Sequence, residues 1–438
     1  MSPHATIVGA GLAGVEAAFQ LASRGITVTL FEMRPRVPTP AHSTGFFGEL
    51  VCSNSLGSES AASANGLLKK ELEILESFYL KIAQRCRVPA GQSLAVDRIR
   101  LAKEITREIK AHPRIEVITR EITDLRDLIS PVMVASGPLT SDALAEHLTS
   151  LTMRKNLFFF DATCPILATD SVDQSVCFKA SRYGKGSPDF LNIPLDRSQY
   201  EQLVQDLVSA QTVQPKDFEK GLFFDACLPV EEIARRGSQA LAFGPLKPVG
   251  LTDPGSGKMP HAVIQLRTDD LKHTFLQMVG FQTRLKWSEQ RRVFRKIPGL
   301  EKARFERYGR MHRNTYISAP LVLNPHLQLK ADPNIFFAGQ LCGVEGYVES
   351  IATGLYAALR LAGILLKRPF PDIPTQTALG SLIHYITHAR WQQFKPTKFS
   401  FGLLPPIRGP RVSKRQRKEQ KALRALECIR QWKNSSVI

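Results

Sequence analysis

The chain has 438 residues, of which 43% are hydrophobic and 22% are charged, a balance typical of a globular protein. This length exceeds what one core usually serves, so two or more structural units are expected. An excess of 58 Lys and Arg over 40 Asp and Glu gives a net charge of +18, which favours a polyanionic partner such as nucleic acid. We find neither a membrane span nor a signal peptide, and therefore expect a cytoplasmic protein.

The first elements in chain order form a βαβ unit. Ala5–Val8 is predicted as a strand, Gly14–Arg24 as a helix and Ile26–Phe31 as a second strand. The Pro-, Ser- and Gly-rich segment from Met33 to Ser63 is predicted as a long loop. The elements expected next are helices at Gly66–Gln84 and Asp97–Lys110, strands at Ile115–Thr119 and Pro131–Ser136, and a helix at Ser141–Leu151.

A different texture, with short apolar stretches between Gly and Pro turns, runs from about Phe158 to Tyr316. It contains a predicted helix at Ser198–Ala210 and an amphipathic stretch at Asp269–Met278. The first texture then returns with the strand Ile335–Ala338 and the long helix Val348–Lys367. We therefore predict an α/β protein in which residues 1–157 and 321–438 build one domain and residues 158–320 form an inserted α+β domain.

A dinucleotide-binding turn is predicted between the first strand and the first helix. It reads Gly9-Ala10-Gly11-Leu12-Ala13-Gly14, where Gly9 allows the tight turn and Gly11 lets a pyrophosphate approach the helix N-terminus. Gly14 lets the helix pack closely on the strand. Glu32 ends the second strand, 21 residues after Gly11, and is placed to bind a ribose hydroxyl. The pattern predicts a Rossmann fold.

The other end of the chain favours FAD over NAD as the dinucleotide. The segment Phe336-Phe337-Ala338-Gly339-Gln340, followed by Gly343-Val344-Glu345-Gly346-Tyr347, resembles the second FAD motif of glutathione-reductase-type flavoproteins. In those proteins a strand ends in a glycine and the next helix points its N-terminus at the flavin. We therefore expect Gly339, Gly343, Glu345, Gly346 and Tyr347 to contact the flavin.

The cysteines argue against metal binding and against disulfides. The seven cysteines have no paired spacing, so neither a zinc site nor a disulfide framework is predicted, and no metal is expected. Isolated cysteines in such a protein are usually buried, although one or two can be nucleophiles.

Longer segments resemble one enzyme family over nearly the whole chain. Among them are VGAGLAGVEAA at 8–18, FEMRP at 31–35, VCSNSLG at 51–57, CLPVEEIARRG at 227–237, YGRMHRNTYI at 308–317 and FAGQLCGVEGYVES at 337–350. They are similar to the folate- and FAD-dependent tRNA (uracil-5-)-methyltransferases, the TrmFO family.

The resemblance implies a reaction and its cofactors. NADPH or NADH would reduce FAD, and 5,10-methylenetetrahydrofolate would supply a carbon to C5 of a uridine in the T-arm of tRNA. The family uses two cysteines, which map onto Cys52 and Cys227. We interpret Cys227 as the nucleophile that adds to C6, and Cys52 as the general base at C5 or a group acting at the flavin.

Other polar residues are candidates for ligand contact. His42 and His312 lie in polar segments and are candidates for folate or flavin contact, whereas Cys342 is expected in the wall of the flavin pocket. The predicted RNA-facing residues are Lys179, Arg182, Lys185, Arg284, Lys286, Arg291, Arg292, Arg295, Lys296, Arg307, Arg310 and Arg313, with Tyr183, Trp287, Tyr308 and Tyr316 between them. A basic run from Arg408 to Lys421 is either a solvated helix face or a phosphate contact.

Three alternatives stay open on the sequence. The same chemistry could act on a ribosomal RNA uridine. The protein could instead be a flavin-containing tRNA-binding factor without methyl transfer, which predicts unreactive Cys52 and Cys227. A flavin oxidoreductase for a small molecule would leave the basic excess without a purpose.

Overall fold

A computed structural model describes residues 3–153, 157–213, 228–368, 371–407 and 412–435, with only the backbone described at 157–160. Its strands are β1 His4–Val8, β2 Thr27–Glu32, β3 Ser55–Ser58, β4 Arg87–Val88, β5 Ser93–Val96, β6 Ile115–Thr119, β7 Val132–Val134, β8 Leu157–Ala162, β9 Ile166–Ala168, β10 Phe178–Lys179, β11 Phe190–Leu195, β12 Ala262–Thr268, β13 Phe275–Met278, β14 Phe305–Arg307, β15 Met311–Tyr316, β16 Gln328–Leu329 and β17 Asp332–Phe337.

The helices of the described ranges follow in the same order. They are α1 Leu12–Ala22, α2 Ala64–Ile74, α3 Phe78–Arg85, α4 Arg98–Ala111, α5 Asp142–Thr152, α6 Arg197–Ser209, α7 Val230–Arg235, α8 Ala240–Phe243, α9 Trp287–Phe294, α10 Ala319–Val322, α11 Tyr347–Leu365, α12 Ala378–His388 and α13 Lys414–Ser435.

The first sheet is built from both ends of the chain. Its strand order is β16-β17-β7-β1-β2-β6, and all neighbours are parallel except the pair β16 and β17. Strand β17, which comes after residue 330, thus completes a sheet begun by the first 30 residues. The carboxyl ends of β1, β2 and β17 meet at one edge, where a ligand of an open parallel sheet is expected.

The second sheet is antiparallel and comes from the middle of the chain. Its order is β10-β11-β12-β13-β9-β14, and its own hydrophobic core includes Tyr200, Phe281 and Phe294. Two smaller pieces connect the sheets: the antiparallel pair β8 and β15, and the three-stranded sheet β3-β5-β4. The loop before β3 consequently lies between the two large sheets.

Helix α11 is the central helix of the first core. It is the one helix of the described ranges long and apolar enough to cross a membrane, but 89% of its most apolar window is buried inside the protein. It packs on α1 so closely that a Cβ on Gly354 would lie 2.4 Å from the carbonyl oxygen of Ala13. Its apolar character is explained by packing on both sides.

Three elements differ from the sequence prediction. The helix predicted at Gly66–Gln84 is two helices, because Glu76 has φ 63° and the Ser77 side chain caps a new helix by accepting the N–H of Leu80. The predicted loop from Met33 to Ser63 contains β3, which pairs with β5. The amphipathic stretch Asp269–Met278, for which the sequence predicts no element type, ends in the strand β13, whose backbone pairs with the antiparallel neighbours β12 and β9.

The other predicted elements are confirmed within a few residues. The C-terminal basic segment is helical from Lys414, and α13 buries Ala422, Ala425, Ile429 and Trp432 against the rest of the protein. Its Lys421 donates hydrogen bonds to the carbonyl oxygens of Phe401 and Leu404. Arg408 and Arg411 lie outside the described residues.

Candidate active site

The glycine turn after β1 has the geometry that a bound pyrophosphate needs. Gly9 has φ +103°, and a Cβ on Gly14 would lie 1.8 Å from the carbonyl oxygen of Gly9. At Gly11, by contrast, nothing lies within 4 Å of a Cβ position, so the space in front of the α1 N-terminus is open. Leu12 begins α1, and the buried Ala13 faces α11.

Glu32 ends β2 beside this turn and holds it in place. Its carboxylate accepts hydrogen bonds from the Ala10 N–H (3.0 Å) and from the N–H and Nε of Arg34 (3.0 Å each). Burial raises the pKa of Glu32, but the Arg34 charge and these hydrogen bonds outweigh it and keep the pKa below the usual value. The carboxylate is therefore ionised and in position to bind a hydroxyl.

A cavity open to solvent lies at this edge of the first sheet. Gly9, Gly11, Glu32 and His42 are among its lining residues. The His42 ring shares a hydrogen bond of 2.7 Å with the Thr39 hydroxyl, and burial together with the Arg34 charge lowers the pKa of His42 to about 4. His42 is thus a neutral polar wall of the predicted dinucleotide site.

A larger cavity lies beside the Cys52 loop and the start of α11. Its lining includes Cys52, His312, Glu345, Gly346 and Tyr347. These residues come from the loop before β3, from β15 and from the start of α11. The structure therefore brings Cys52 together with Glu345, Gly346 and Tyr347, whereas the predicted flavin contacts Gly339 and Gly343 do not line this cavity. Cys227 lies outside the described residues.

The glycine-rich segment between β17 and α11 passes this cavity with an unusual backbone. Gly339, Gly343 and Gly346 have φ values of +77°, +85° and +105°. The thiol of Cys342 is fully buried there and donates to the Gly339 carbonyl at 2.9 Å. Cys342 is not among the residues that line either of the two cavities.

Tyr347 holds the backbone of the Cys52 loop. Its hydroxyl oxygen accepts hydrogen bonds from the N–H groups of Cys52 (2.7 Å) and Ser53 (3.0 Å). Burial, together with the Cys52 side chain, raises the pKa of Tyr347 far above its usual value. The phenol is therefore neutral and fixes the loop from the side of the first sheet.

The second sheet holds the same loop from the opposite side. Gln277 donates from Nε2 to the carbonyl oxygen of Cys52 at 3.0 Å, and Arg267 donates to the Ser53 hydroxyl at 2.8 Å. Arg267 also donates to Gln277. Sequence reasoning missed both residues, which lie more than 200 positions from the cysteine and show no local motif.

The Cys52 thiol is held in its protonated form. It donates to the carbonyl oxygen of Ala162 at 3.5 Å. Burial, followed by the negative charge of Asp161, raises the pKa of Cys52 well above its usual value, and the Arg98 and Lys398 charges offset this only in part. A thiolate formed here would be a strong base, because a high pKa means a high proton affinity.

Two carboxylates at the start of α11 face the cavity beside Lys398. Glu345 forms an ion pair of 3.1 Å with Lys398. Glu349, only 2% exposed, accepts the N–H of Phe399 at 3.0 Å, and burial raises the pKa of Glu349 to about 7. A carboxyl group that titrates near neutrality is suited to proton transfer. No sequence pattern indicates this shift.

An unsatisfied amide in β15 indicates a ligand in the larger cavity. Asn314 is 1% exposed and lines that cavity, and neither its Oδ1 nor its Nδ2 has a hydrogen-bond partner among the described residues. Buried amides are almost always paired. A polar ring with donor and acceptor edges, such as a pterin, a flavin or a uracil, would satisfy it. His312, two residues earlier, is neutral because burial lowers its pKa.

Most predicted RNA-facing cations have partners within the protein. The pairs are Arg284 with Glu232, Arg292 and Lys296 with Asp206, Arg313 with Asp142, Arg295 with the Ala303 carbonyl, Arg182 with the Val249 carbonyl, and Arg307 with the Ser43 hydroxyl. Tyr316 is 4% exposed and packs near Phe394, so it is not part of a surface, and its place in the RNA-facing group was wrong. Lys286, Arg291, Arg310 and Trp287 remain exposed.

Comparisons with known proteins agree with this arrangement. A family model described as "Glucose inhibited division protein A" matches residues 4–369. A protein of Natranaerobius thermophilus named methylenetetrahydrofolate--tRNA-(uracil-5-)-methyltransferase TrmFO is 50% identical over 424 residues, which cover 96% of this chain and 98% of that protein. The Listeria monocytogenes protein of the same name is 47% identical, with 98% of this chain and 99% of that protein covered.

The chain belongs to the TrmFO family. A structure of Aquifex aeolicus GidA has the same fold, with a TM-score of 0.69 at 16% identity, and covers 98% of this chain and 74% of that one. The predicted α/β class, an FAD/NAD(P)-binding Rossmann fold with an inserted domain, is thereby confirmed. Within the described ranges no group of three His, Cys, Asp or Glu side chains is placed to hold a metal ion.

Proposed function

We propose that this protein methylates C5 of a uridine in the T-loop of tRNA. The carbon comes from 5,10-methylenetetrahydrofolate, and NADPH or NADH supplies the electrons through FAD. The observation that carries the proposal is the larger cavity, which Cys52 lines together with Glu345 and Tyr347. Family membership supports the choice of this reaction.

The residues of both cavities fit FAD. Gly9, Gly11 and Glu32 line the first cavity, with Ala10, Leu12, Ala13 and Gly14 in the same turn and helix start, and they would hold the pyrophosphate and the ribose. Glu345, Gly346 and Tyr347 line the second cavity and would face the flavin, with Gly339 and Gly343 earlier in the same segment. When bound, FAD supplies hydride chemistry and the folate supplies a one-carbon unit at the formaldehyde oxidation level. The unpaired Asn314 supports a second heteroaromatic ligand in the larger cavity.

The protein's own residues supply the acid–base chemistry. A thiolate that adds to C6 of uracil, which we assign to Cys227, makes C5 nucleophilic, so that a bond forms between C5 and the transferred carbon. A base then removes the C5 proton while the bond between the transferred carbon and its carrier breaks; after a hydride derived from the nicotinamide adds to that carbon, loss of the thiolate from C6 restores the ring. We assign proton removal to Cys52; because its raised pKa keeps the thiol protonated, it must first pass its proton to a base in the same cavity, a role that Glu349, with a pKa of about 7, can fill. Two electrons from the nicotinamide convert the transferred methylene into a methyl group.

A reconstitution assay tests the proposal. The holoenzyme is mixed with NADPH, methylenetetrahydrofolate and an unmodified tRNA transcript, and 5-methyluridine is measured by mass spectrometry of nucleosides. We expect folate-dependent product in the wild type. In Cys227→Ala and Cys52→Ala we expect a loss of at least about 100-fold, as for removal of a nucleophile or a general base.

Each other outcome of this assay supports a different function. Product only in a ribosomal RNA fragment would move the substrate from tRNA to the ribosome. Tight tRNA binding without product in any RNA would favour a flavin-containing binding factor. Oxidation of NADPH with neither binding nor product would leave a small-molecule flavin oxidoreductase.

A further inference from the structure

Four side chains form a continuous stack on the surface of the second sheet and helix α9. The Phe305 and Tyr308 rings lie 5.0 Å apart and 12° from parallel, and the Tyr308 and Trp287 rings lie 5.4 Å apart and 14° from parallel. The Arg310 guanidinium lies over Trp287, 5.0 Å from the ring centre. We call Phe305, Tyr308, Trp287 and Arg310 the aromatic stack.

The inner end of the aromatic stack is anchored in the core. Phe305 packs 6.4 Å from the fully buried Phe294, and Arg291 donates to the Tyr308 hydroxyl at 3.1 Å. The outer end is exposed to solvent: Trp287 is 51% exposed, and the exposed Arg310 guanidinium lies over its ring. A rigid series of stacked side chains that ends at the surface can stack against one more flat ring without rearranging.

The stack also lies close to the larger cavity. The Arg310 N–H donates to the Thr163 hydroxyl at 2.9 Å, and the residue before Thr163, Ala162, accepts the Cys52 thiol. His312, two residues after Arg310, lines that cavity. Arg310 and His312 are two residues apart in extended chain, which spans about 7 Å. An RNA strand with one base on the stack could therefore place a neighbouring nucleotide in the cavity.

The surroundings favour an anionic ligand. Lys286 and Arg291 are exposed beside Trp287, and the nearest carboxylate on α9, Glu289, is paired with Arg292 at 2.7 Å. Glu306, exposed on β14, is the opposing charge. Aromatic rings and guanidinium planes among cations are the surface on which unpaired bases of RNA stack.

We propose that the aromatic stack holds an unpaired nucleobase of the RNA substrate, next to the uridine that enters the cavity. This inference rests on the proposed function and adds a binding platform to it. A flipped-out uridine leaves a neighbouring base without a stacking partner, and the outer end of the stack would replace that partner.

The test compares two half-exposed tryptophans. Trp287 is 51% exposed and Trp391, outside the stack, is 49% exposed. The dissociation constant for a T-arm stem-loop RNA is measured by fluorescence anisotropy. We expect about tenfold weaker binding for Trp287→Ala, recovery in Trp287→Phe, and wild-type binding for Trp391→Ala. Unchanged binding in Trp287→Ala, or an equal loss in Trp391→Ala, overturns the inference.

A second RNA separates base stacking from charge. A duplex of the same length without a loop offers the same phosphates but no unpaired base. Trp287→Ala should weaken binding of the stem-loop and leave the duplex unchanged, whereas an equal loss for both RNAs overturns the inference. Melting temperatures confirm that each variant is folded. If the wild type binds the stem-loop but does not methylate it, the proposed function fails. The binding of Trp287→Ala then still tests whether the aromatic stack holds a base.

Discussion

At the scale of single residues, the burial of Glu349 makes the stability of the folded protein depend on pH. Burial raises the pKa of Glu349 to about 7, from an ordinary value near 4.5. The folded protein then binds more protons than the unfolded chain between these pH values, so stability falls as pH rises through this range. The difference corresponds to about 3 kcal/mol at full effect.

Glu349→Gln is expected to remove this pH dependence. The amide oxygen can still accept the Phe399 N–H but carries no charge, so the variant should match the wild type near pH 5 and exceed its stability at pH 8. Urea denaturation of the holoprotein between pH 5 and pH 8 measures this. Glu146→Gln, at an exposed position of α5, is the control. Parallel curves for Glu349→Gln and the wild type would mean that Glu349 is ionised throughout.

Cys52 should behave as a protonated thiol in the free enzyme. Because burial and Asp161 raise its pKa, its alkylation by iodoacetamide should be slow at pH 7 and should still be increasing above pH 9. Mass spectrometry of the labelled peptide measures the rate, with the peptide of the partly exposed Cys177 as an internal reference. A rate that has reached its plateau by pH 7 would show a stabilised thiolate instead.

Residues of this kind differ in how far the sequence reveals them. The positions of Gly9, Gly14 and Glu32 around one turn were predictable because the turn, the helix and the strand are consecutive in the chain. Glu349 and Asn314 were not, since their significance comes from burial and from a missing hydrogen-bond partner. Spacing carries no information about either property.

At the scale of elements, the loop that carries Cys52 is held between the helix α11 and the strand β13. Tyr347, at the start of α11, holds its N–H groups, and Gln277 on β13 holds its carbonyl oxygen. The position of the thiol therefore depends on both sheets at once. No pattern within the loop predicts this, because the contacts join residues 225 and 295 positions apart.

Gln277→Ala should lower catalysis without preventing RNA binding. Losing the bond to the Cys52 carbonyl frees the loop, and a displacement of about 1 Å can cost about 100-fold in rate. We expect kcat for methylation to fall 10- to 100-fold with little change in the KM for tRNA. Steady-state kinetics measure the two parameters separately.

A matched control lies on the neighbouring strand. Gln265 on β12 also donates from its side chain within the second sheet, to Asn192 at 2.9 Å, but does not touch the Cys52 loop. Gln265→Ala should therefore leave kcat near the wild-type value. Equal losses in both variants would show that the effect comes from the sheet as a whole.

At the scale of the whole molecule, chain order and spatial order differ. The first sheet needs β17 from the C-terminal part beside β7, and α1 needs α11. The return of the first texture after Asn334 made this predictable from sequence. The break in the helix predicted at Gly66–Gln84 was not, because it depends on the buried Glu16 carboxylate, which accepts the N–H groups of Phe78 and Tyr79 from a distant helix.

The net charge of +18 predicts how RNA affinity depends on salt. Cations that neutralise RNA phosphates release condensed counterions, so the logarithm of the association constant should fall linearly with the logarithm of the salt concentration. With six or more phosphate contacts, affinity for tRNA should fall about 1,000-fold or more between 50 and 200 mM KCl. Trp287→Ala should shift this line without changing its slope, because a stacked base releases no counterion, whereas Lys286→Ala, an exposed cation beside the stack, should make the slope shallower by about one contact. A flat dependence in the wild type would mean that the basic surface does not bind the RNA backbone.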